Sequence, residues 1–176
     1  AVHAAAVANG GSVDSIQPGL DFFAELKKNG NYLPAEANAG TIETGETPIV
    51  INWDYLLKPI AEDLKESNGH ELKIIEPSDG TVSSFYAASI NADAPHPATA
   101  RLFYEFLFSD EGQNLLMKGY VTPVRLSSML EEGTADQEAV DALPGKDPEI
   151  TAPMPTLEER AANQKVVEAE WPKAMQ

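Results

Sequence analysis

The chain contains no cysteine and few basic groups. Of its 176 residues, 12 are Lys or Arg and 28 are Asp or Glu, a formal charge of −16. Without cysteine there is no disulfide, no zinc–thiolate site and no thiol nucleophile. The shortage of basic residues argues against nucleic acid, which needs a positive footprint. It argues equally against an anionic membrane surface. The three histidines, His3, His70 and His96, are scattered and never pair at metal-ligand spacing. They are expected at the surface rather than as ligands. No apolar run is long enough to span a bilayer, and no charged-then-apolar leader opens the chain. No GxSxG elbow, HExxH or phosphate-binding P-loop occurs. Carboxylates are abundant, so chance pairs are expected, and an acid/base pair needs geometry that sequence does not carry. Nothing positive points to an enzyme. There is no internal repeat and no low-complexity segment.

What is present is a chain with 43% hydrophobic residues, enough to bury a core. Its length suits one ordinary domain or parts of two. Ala1 to Ala8 reads as the end of an alanine-rich helix stopped by Asn9-Gly10-Gly11, as though the chain were cut from a longer one. Ser15 to Asn29 is a complete helix candidate, with Leu20, Phe23 and Leu26 at helical spacing and Gly30 closing it. Residues 31–44 are a polar connection in which Thr41-Ile42-Glu43 is a helix's last turn or an edge strand. Glu71 to Pro77 and Val82 to Ile90 are read as strands. Pro97 opens a helix with Ala100, Phe103, Phe106 and Leu107 on its inner face. Ser109-Asp110-Glu111 ends it and caps the next, which Gly119 stops. Tyr120 to Arg125 runs extended. Met129 to Leu143 holds one or two short helices, and residues 144–148 are loop. Thr156 and Glu159 form a capping box for a last helix whose expected inner stripe is Leu157, Ala161, Val167 and Trp171.

The chain is organised around Gly45 to Ile60, GETPIVINWDYLLKPI. Pro48 starts a β-branched run, Ile49-Val50-Ile51, read as an extended, buried strand. Asn52-Trp53-Asp54-Tyr55 follows, and then a helical pattern that Asn52 or Asp54 can cap. In an open α/β sheet, ligands bind just past a strand's carboxyl end, at a helix start. Asn52, Trp53, Asp54 and Tyr55 are therefore the first candidate ligand-binding residues. The alternative is that Trp53 and Tyr55 pack beneath the helix as core. The loop after the second strand, Ser78, Asp79, Gly80 and Thr81 with Ser83 beyond, supplies hydroxyls and a glycine whose backbone can approach a ligand. Its alternative is an ordinary turn whose hydroxyls bond their own backbone.

Several stretches together resemble one family: GLDFFAELKKNGNY, GETPIVINWDYLLKP, IIEPSDGTVSSFYAASINADAPHPATARLFYEFLFSDEGQNLL and GYVTPVR. In order and spacing they are similar to the C-terminal half of an extracellular solute-binding protein of a bacterial ABC importer. The likeness is narrowest to the iron(III)-, polyamine- and 2-aminoethylphosphonate-binding branch, and strongest from Ala94 to Gln113. The resemblance implies an α/β fold: part of a two-lobed periplasmic-binding-protein type II architecture, with mixed sheets flanked by helices. Residues 1–75 would form a second-lobe segment, 76–125 a first-lobe return, and 126–176 C-terminal helices. It further implies capture of a small-molecule solute in an interlobe cleft, delivery to permease subunits, no cofactor and no catalysis. The place of action would be extracellular or periplasmic, with any membrane contact through a lipid anchor or the permease. Iron-binding relatives carry two adjacent tyrosines after the pivotal strand; here the matching pair is Asp54-Tyr55, so the metal would have Tyr55 and Asp54. Polyamine-binding relatives hold ammonium groups with Trp and Asp, a chemistry that Trp53, Asp54 and Tyr55 would supply. The competing readings are an enzyme on the same two-lobed fold and an acidic protein-interaction module.

Overall fold

Helices carry this chain, and most of them stop where the sequence places a breaker or a cap. The computed structural model describes residues 1–145 and 152–176. Among them run α1 (Val2–Ala8), α2 (Gln17–Lys28), α3 (Ala39–Glu43), α4 (Asp54–Asn68), α5 (Pro97–Leu107), α6 (Asp110–Lys118), α7 (Leu126–Glu132), α8 (Gln137–Ala142) and α9 (Leu157–Ala174). Asn38 and Thr41 form a capping box on α3, which settles Thr41-Ile42-Glu43 as helix. Ser109 Oγ accepts from the Gly112 N–H at 3.1 Å, and Thr156 and Glu159 close the box on α9. Such caps satisfy N–H groups that the first helical turn leaves without partners. Of the loop expected at 144–148, residues 146–148 lie outside the described residues.

The chain divides into two compact units. The first holds Ala1–Asn52, Asp63–Phe85 and the described part of Asp147–Gln176. Its buried apolar residues are Ala6, Ile16, Leu20, Phe23, Ile42 and Leu64. Helices α1 and α2 touch at Gly19, where an added Cβ would lie 2.2 Å from the Val2 carbonyl oxygen. Only glycine permits that approach. Helix α9 is anchored by Trp171, edge-on to Phe23 at 5.5 Å and to Tyr32 at 6.2 Å between ring centres. Buried Asn163 donates from Nδ2 to the Val13 carbonyl at 2.6 Å and faces His3 Nε2 at 3.0 Å. The expected α9 stripe is corrected in part. Leu157 and Ala161 are exposed, and the inward line runs instead through Asn163, Val167 and Trp171.

The second unit holds Trp53–Glu62 and the described part of Tyr86–Lys146. Met117, Met129, Ala139 and Leu143 form its core, with Leu126, Ala135 and Val140 against them. The α5–α6 turn is tight: a Cβ on Gly112 would sit 2.1 Å from the Phe106 carbonyl oxygen. Buried Gln113 donates to the Leu107 carbonyl at 2.7 Å and accepts from the Arg125 N–H at 3.3 Å. The Arg125 guanidinium donates to the Phe108 carbonyl at 2.8 Å and pairs with Asp110 at 2.7 Å.

The mixed α/β fold expected from the sequence is not found. Among the described residues there is no strand; only an isolated bridge joins Ser12 and Ser15. The runs at 49–51, 71–77 and 82–90 have no regular structure. Their composition favours a pleated, half-buried surface, but a strand exists only when a neighbour supplies the hydrogen-bond ladder. Among the described residues no neighbouring strand lies beside them. The two-residue alternation persists at 71–76, where Leu72, Ile74 and Glu76 are half-buried and Glu71, Lys73 and Ile75 exposed. Ile49, expected inside a buried strand, is 88% exposed. Helix α5 is corrected as well. Its expected inner residues Phe103 and Phe106 are exposed, and none of its residues is buried.

Candidate functional site

The start of α4 is built by three consecutive residues of the second unit. The Trp53 carbonyl accepts from the N–H groups of Leu56 and Leu57, both at 3.2 Å, so Trp53 occupies the cap. Asp54 is the first helical residue, and its Oδ1 accepts from the Tyr55 N–H at 2.8 Å. A carboxylate in the first turn meets the positive end of the helix dipole. Further along, Pro59 has no N–H to give to the Tyr55 carbonyl. Trp53 is 44% exposed, and Asp54 and Tyr55 are half-buried. The corner is open to solvent rather than sealed beneath α4.

Tyr86 joins this corner. Its hydroxyl lies 2.6 Å from that of Tyr55, and the two rings stand edge to face, 6.2 Å apart at 90°. Tyr86 is 74% exposed. The hydrogen bond from Tyr86, with smaller contributions from desolvation and from the Asp54 charge, holds the Tyr55 phenol above its ordinary pKa. Sequence reasoning placed Tyr86 inside an expected strand and missed its role. Nothing local to it signals a partner so far back in the chain.

The same side of α4 continues with Lys58 and Glu62, three and seven residues beyond Tyr55, spacing that aligns side chains on one helix face. Lys58 pairs with Glu62 at 3.2 Å, and the Tyr120 hydroxyl donates to Glu62. That donation, reinforced by Lys58, holds the Glu62 carboxyl below the usual range. Tyr120 itself sits at φ 62°, the left-handed region. Its N–H donates to the Met117 carbonyl at 2.8 Å and that of Val121 to Leu116 at 3.1 Å, so α6 ends in a Schellman motif. Glycine is usual at this position, yet Gly119 falls one residue early and tyrosine takes the strained conformation.

The other expected site residues fall in the first unit. Asn52, Ser78 and Asp79 are exposed there. Gly80 is buried; a Cβ would lie 2.9 Å from Ala8 Cβ and 3.1 Å from the Ala4 carbonyl oxygen. The glycine therefore serves close packing against α1. The Thr81 hydroxyl donates to the Pro77 carbonyl, and the Ser83 N–H donates to Pro153. The structure thus brings Trp53, Asp54 and Tyr55 together with Tyr86. Asn52 and the 78–83 loop belong to a different unit.

A cavity of about 350 Å³ opens beside α5 in the second unit, lined by Ala88, Ile90, Pro95, Phe103 and Leu107 among others. None of the expected site residues lines it. Among the described residues, no cluster of three or more His, Cys, Asp or Glu is placed to hold a metal ion. No described helix is long and apolar enough to cross a membrane.

Residues 2–148 match the family described as bacterial extracellular solute-binding protein. The match spans most of the chain, and the chain belongs to that family. No curated protein matches it.

Proposed function

We propose that this extracellular solute-binding protein captures a small, polyamine-like cation at the start of α4 and delivers it, unaltered, to the permease of an ABC importer. The observation that carries the reading is the run of an exposed Trp53, a first-turn Asp54 carboxylate and Tyr55, whose hydroxyl meets that of Tyr86 at 2.6 Å. A bare helix start attracts anions, but here a carboxylate already occupies it. An indole face attracts an ammonium group by about 0.5–2 kcal/mol. A carboxylate adds a charge-assisted hydrogen bond, and phenol oxygens can accept the remaining N–H groups. An aminophosphonate would also call on Ser78, Asp79, Gly80, Thr81 and Ser83. Of these, Thr81 already spends its proton on Pro77 and Gly80 packs on α1, so the cation is favoured.

Titration calorimetry with a linear triamine tests this. Trp53→Ala and Asp54→Ala should each weaken binding about tenfold, or about 1.4 kcal/mol, with circular dichroism unchanged. Unchanged affinity in both variants would remove the site. One observation favours a second reading. The Tyr55 and Tyr86 oxygens, 2.6 Å apart and near Asp54, form an all-oxygen set suited to a hard cation such as iron(III). A visible iron–phenolate absorption band on adding ferric iron, lost in Tyr86→Phe, would select that reading. Its absence would eliminate it.

A further inference from the structure

Three Asn-Gly pairs occur, Asn9-Gly10, Asn29-Gly30 and Asn68-Gly69, and each closes a helix of the first unit. The pairing has a chemistry of its own. A backbone nitrogen that has lost its proton can attack the side-chain carbonyl carbon of the preceding asparagine. A five-membered succinimide forms, and the side-chain nitrogen takes up the proton and leaves as ammonia. Water then opens the ring at either carbonyl and leaves aspartate or isoaspartate. Glycine favours the closure because no Cβ crowds its nitrogen. All three pairs are exposed, and each glycine has positive φ: 81° at Gly10, 73° at Gly30 and 73° at Gly69.

What separates the three is how the fold holds the asparagine. Asn68 is the last residue of α4. Its Nδ2 donates to Glu43 at 2.6 Å, and its Oδ1 accepts from the His70 N–H at 2.9 Å. The side chain must leave both partners before its carbon can be attacked. The Glu43 carboxylate also opposes a negative charge gathering beside it. Asn9 is held by one bond, from Nδ2 to the Ala5 carbonyl at 2.7 Å. Its turn is pinned at Gly11, where a Cβ would lie 2.7 Å from the Ser15 carbonyl oxygen. Among the described residues, no hydrogen bond holds the Asn29 side chain. The Gly30 and Gly69 N–H groups are alike, each donating to a helix carbonyl at 3.0 Å, so the contrast lies in the side chains. Lys27 and Lys28, just before Asn29, favour the negative nitrogen. We propose that Asn29 is a site of spontaneous modification, losing its side-chain amide to the Gly30 nitrogen ahead of Asn9 and Asn68. The product sets a carboxylate at the C-terminal end of α2, where the helix dipole is negative. Isoaspartate also lengthens the backbone leading to Tyr32, which stands edge-on to Phe23 and Trp171. The modification therefore loosens the aromatic contact between α2 and α9.

Incubation of the full chain at mildly alkaline pH, followed by peptide mass spectrometry, is the test. In the folded chain Asn29 should convert first, with Asn9 behind it. The two extra hydrogen bonds should hold Asn68 back at least about tenfold. In the urea-unfolded chain that spread should largely vanish, because the bonds that cause it are gone. Asn9 or Asn68 converting as fast as Asn29 in the folded chain would overturn the inference. An unchanged spread after unfolding would overturn it too, since the order would then belong to the sequence alone. The incubated parent should also melt at a lower temperature than Asn29→Gln treated identically. Equal melting would overturn the loosening of the α2–α9 contact.

Discussion

Gly112→Ala should cost the second unit more stability than any ordinary surface glycine change, and the amount can be worked out from its surroundings. The new Cβ would stand 2.1 Å from the Phe106 carbonyl oxygen and 3.0 Å from that of Leu107. The first distance is well over 1 Å short of the ~3.5 Å at which nonbonded atoms rest. Both obstacles are backbone, so no flexible side chain can swing aside. The Phe106 carbonyl accepts from the Ser109 N–H at 3.0 Å and the Ser109 hydroxyl at 2.6 Å, and that hydroxyl caps Gly112 itself. Displacing it strains the cap as well as the turn. Overpacking costs about 1–3 kcal/mol, and each weakened hydrogen bond about 1 kcal/mol. Against this, alanine improves helix propensity by about 1 kcal/mol. The net is a loss of about 2–4 kcal/mol. With a urea dependence of about 1–3 kcal/mol per molar, the midpoint by circular dichroism should fall by about 1–2 M. Gly119→Ala is the control. Its φ is −93° and its Cβ would meet only the Leu116 carbonyl oxygen at 3.4 Å, so the midpoint should barely move. A Gly112→Ala midpoint within about 0.5 M of the parent would refute the reading of the α5–α6 turn as a backbone-on-backbone contact.

Two further outcomes follow from titratable groups. Burial, the nearby amino terminus and Arg160 hold His3 below its ordinary pKa, so the fold prefers neutral imidazole facing Asn163. That preference stabilises the first unit above the unfolded-state pKa near 6.5 and is lost as pH falls through the lower folded value; thermal melting should drop between about pH 7 and pH 5 more in the parent than in His3→Gln, and equal slopes would dismiss the contact. Tyr120→Phe removes the proton donated to Glu62, so the Glu62 carboxyl should titrate closer to the ordinary glutamate value by carboxyl-detected NMR, and an unmoved titration would show that Lys58 alone depresses it.

The sequence was most legible where structure is local. The Thr156–Glu159 box, the Ser109 cap and the periodicity of Leu20 and Phe23 each depend on residues within a turn or two, and all appear in the fold. The strands were legible only as preferences. Ile49 to Ile51 and Val82 to Ile90 have the right side chains, but pairing is a property of two segments, and neither finds a second among the described residues. The outward turn of Phe103 and Phe106 failed in the same way. Helical spacing identifies the apolar stripe, not what lies opposite it. At the candidate site, the Trp53-Asp54-Tyr55 corner was readable because it is a helix start. Tyr86 was not, since it meets Tyr55 across 31 residues, and the Tyr120–Glu62 contact spans 58.

The end of the strongest family signal, which runs from Ala94 to Gln113 and has the distant Pro123-Val124-Arg125 as its tail, has a mechanical meaning. Of these residues, Ser109, Asp110, Gly112, Gln113 and Arg125 converge on the C-terminal end of α5. Gly112 admits its carbonyls, the Gln113 amide binds Leu107 on one side and Arg125 on the other, and Arg125 returns to Phe108 and Asp110. The set is demanding because its contacts are backbone and buried amide, which leave little choice of side chain. None of its members belongs to the Trp53–Tyr86 corner. Residues that fix a scaffold reveal kinship without revealing cargo, which is why the family could be read from the chain while the solute has to be argued from four exposed or half-buried side chains at the start of α4.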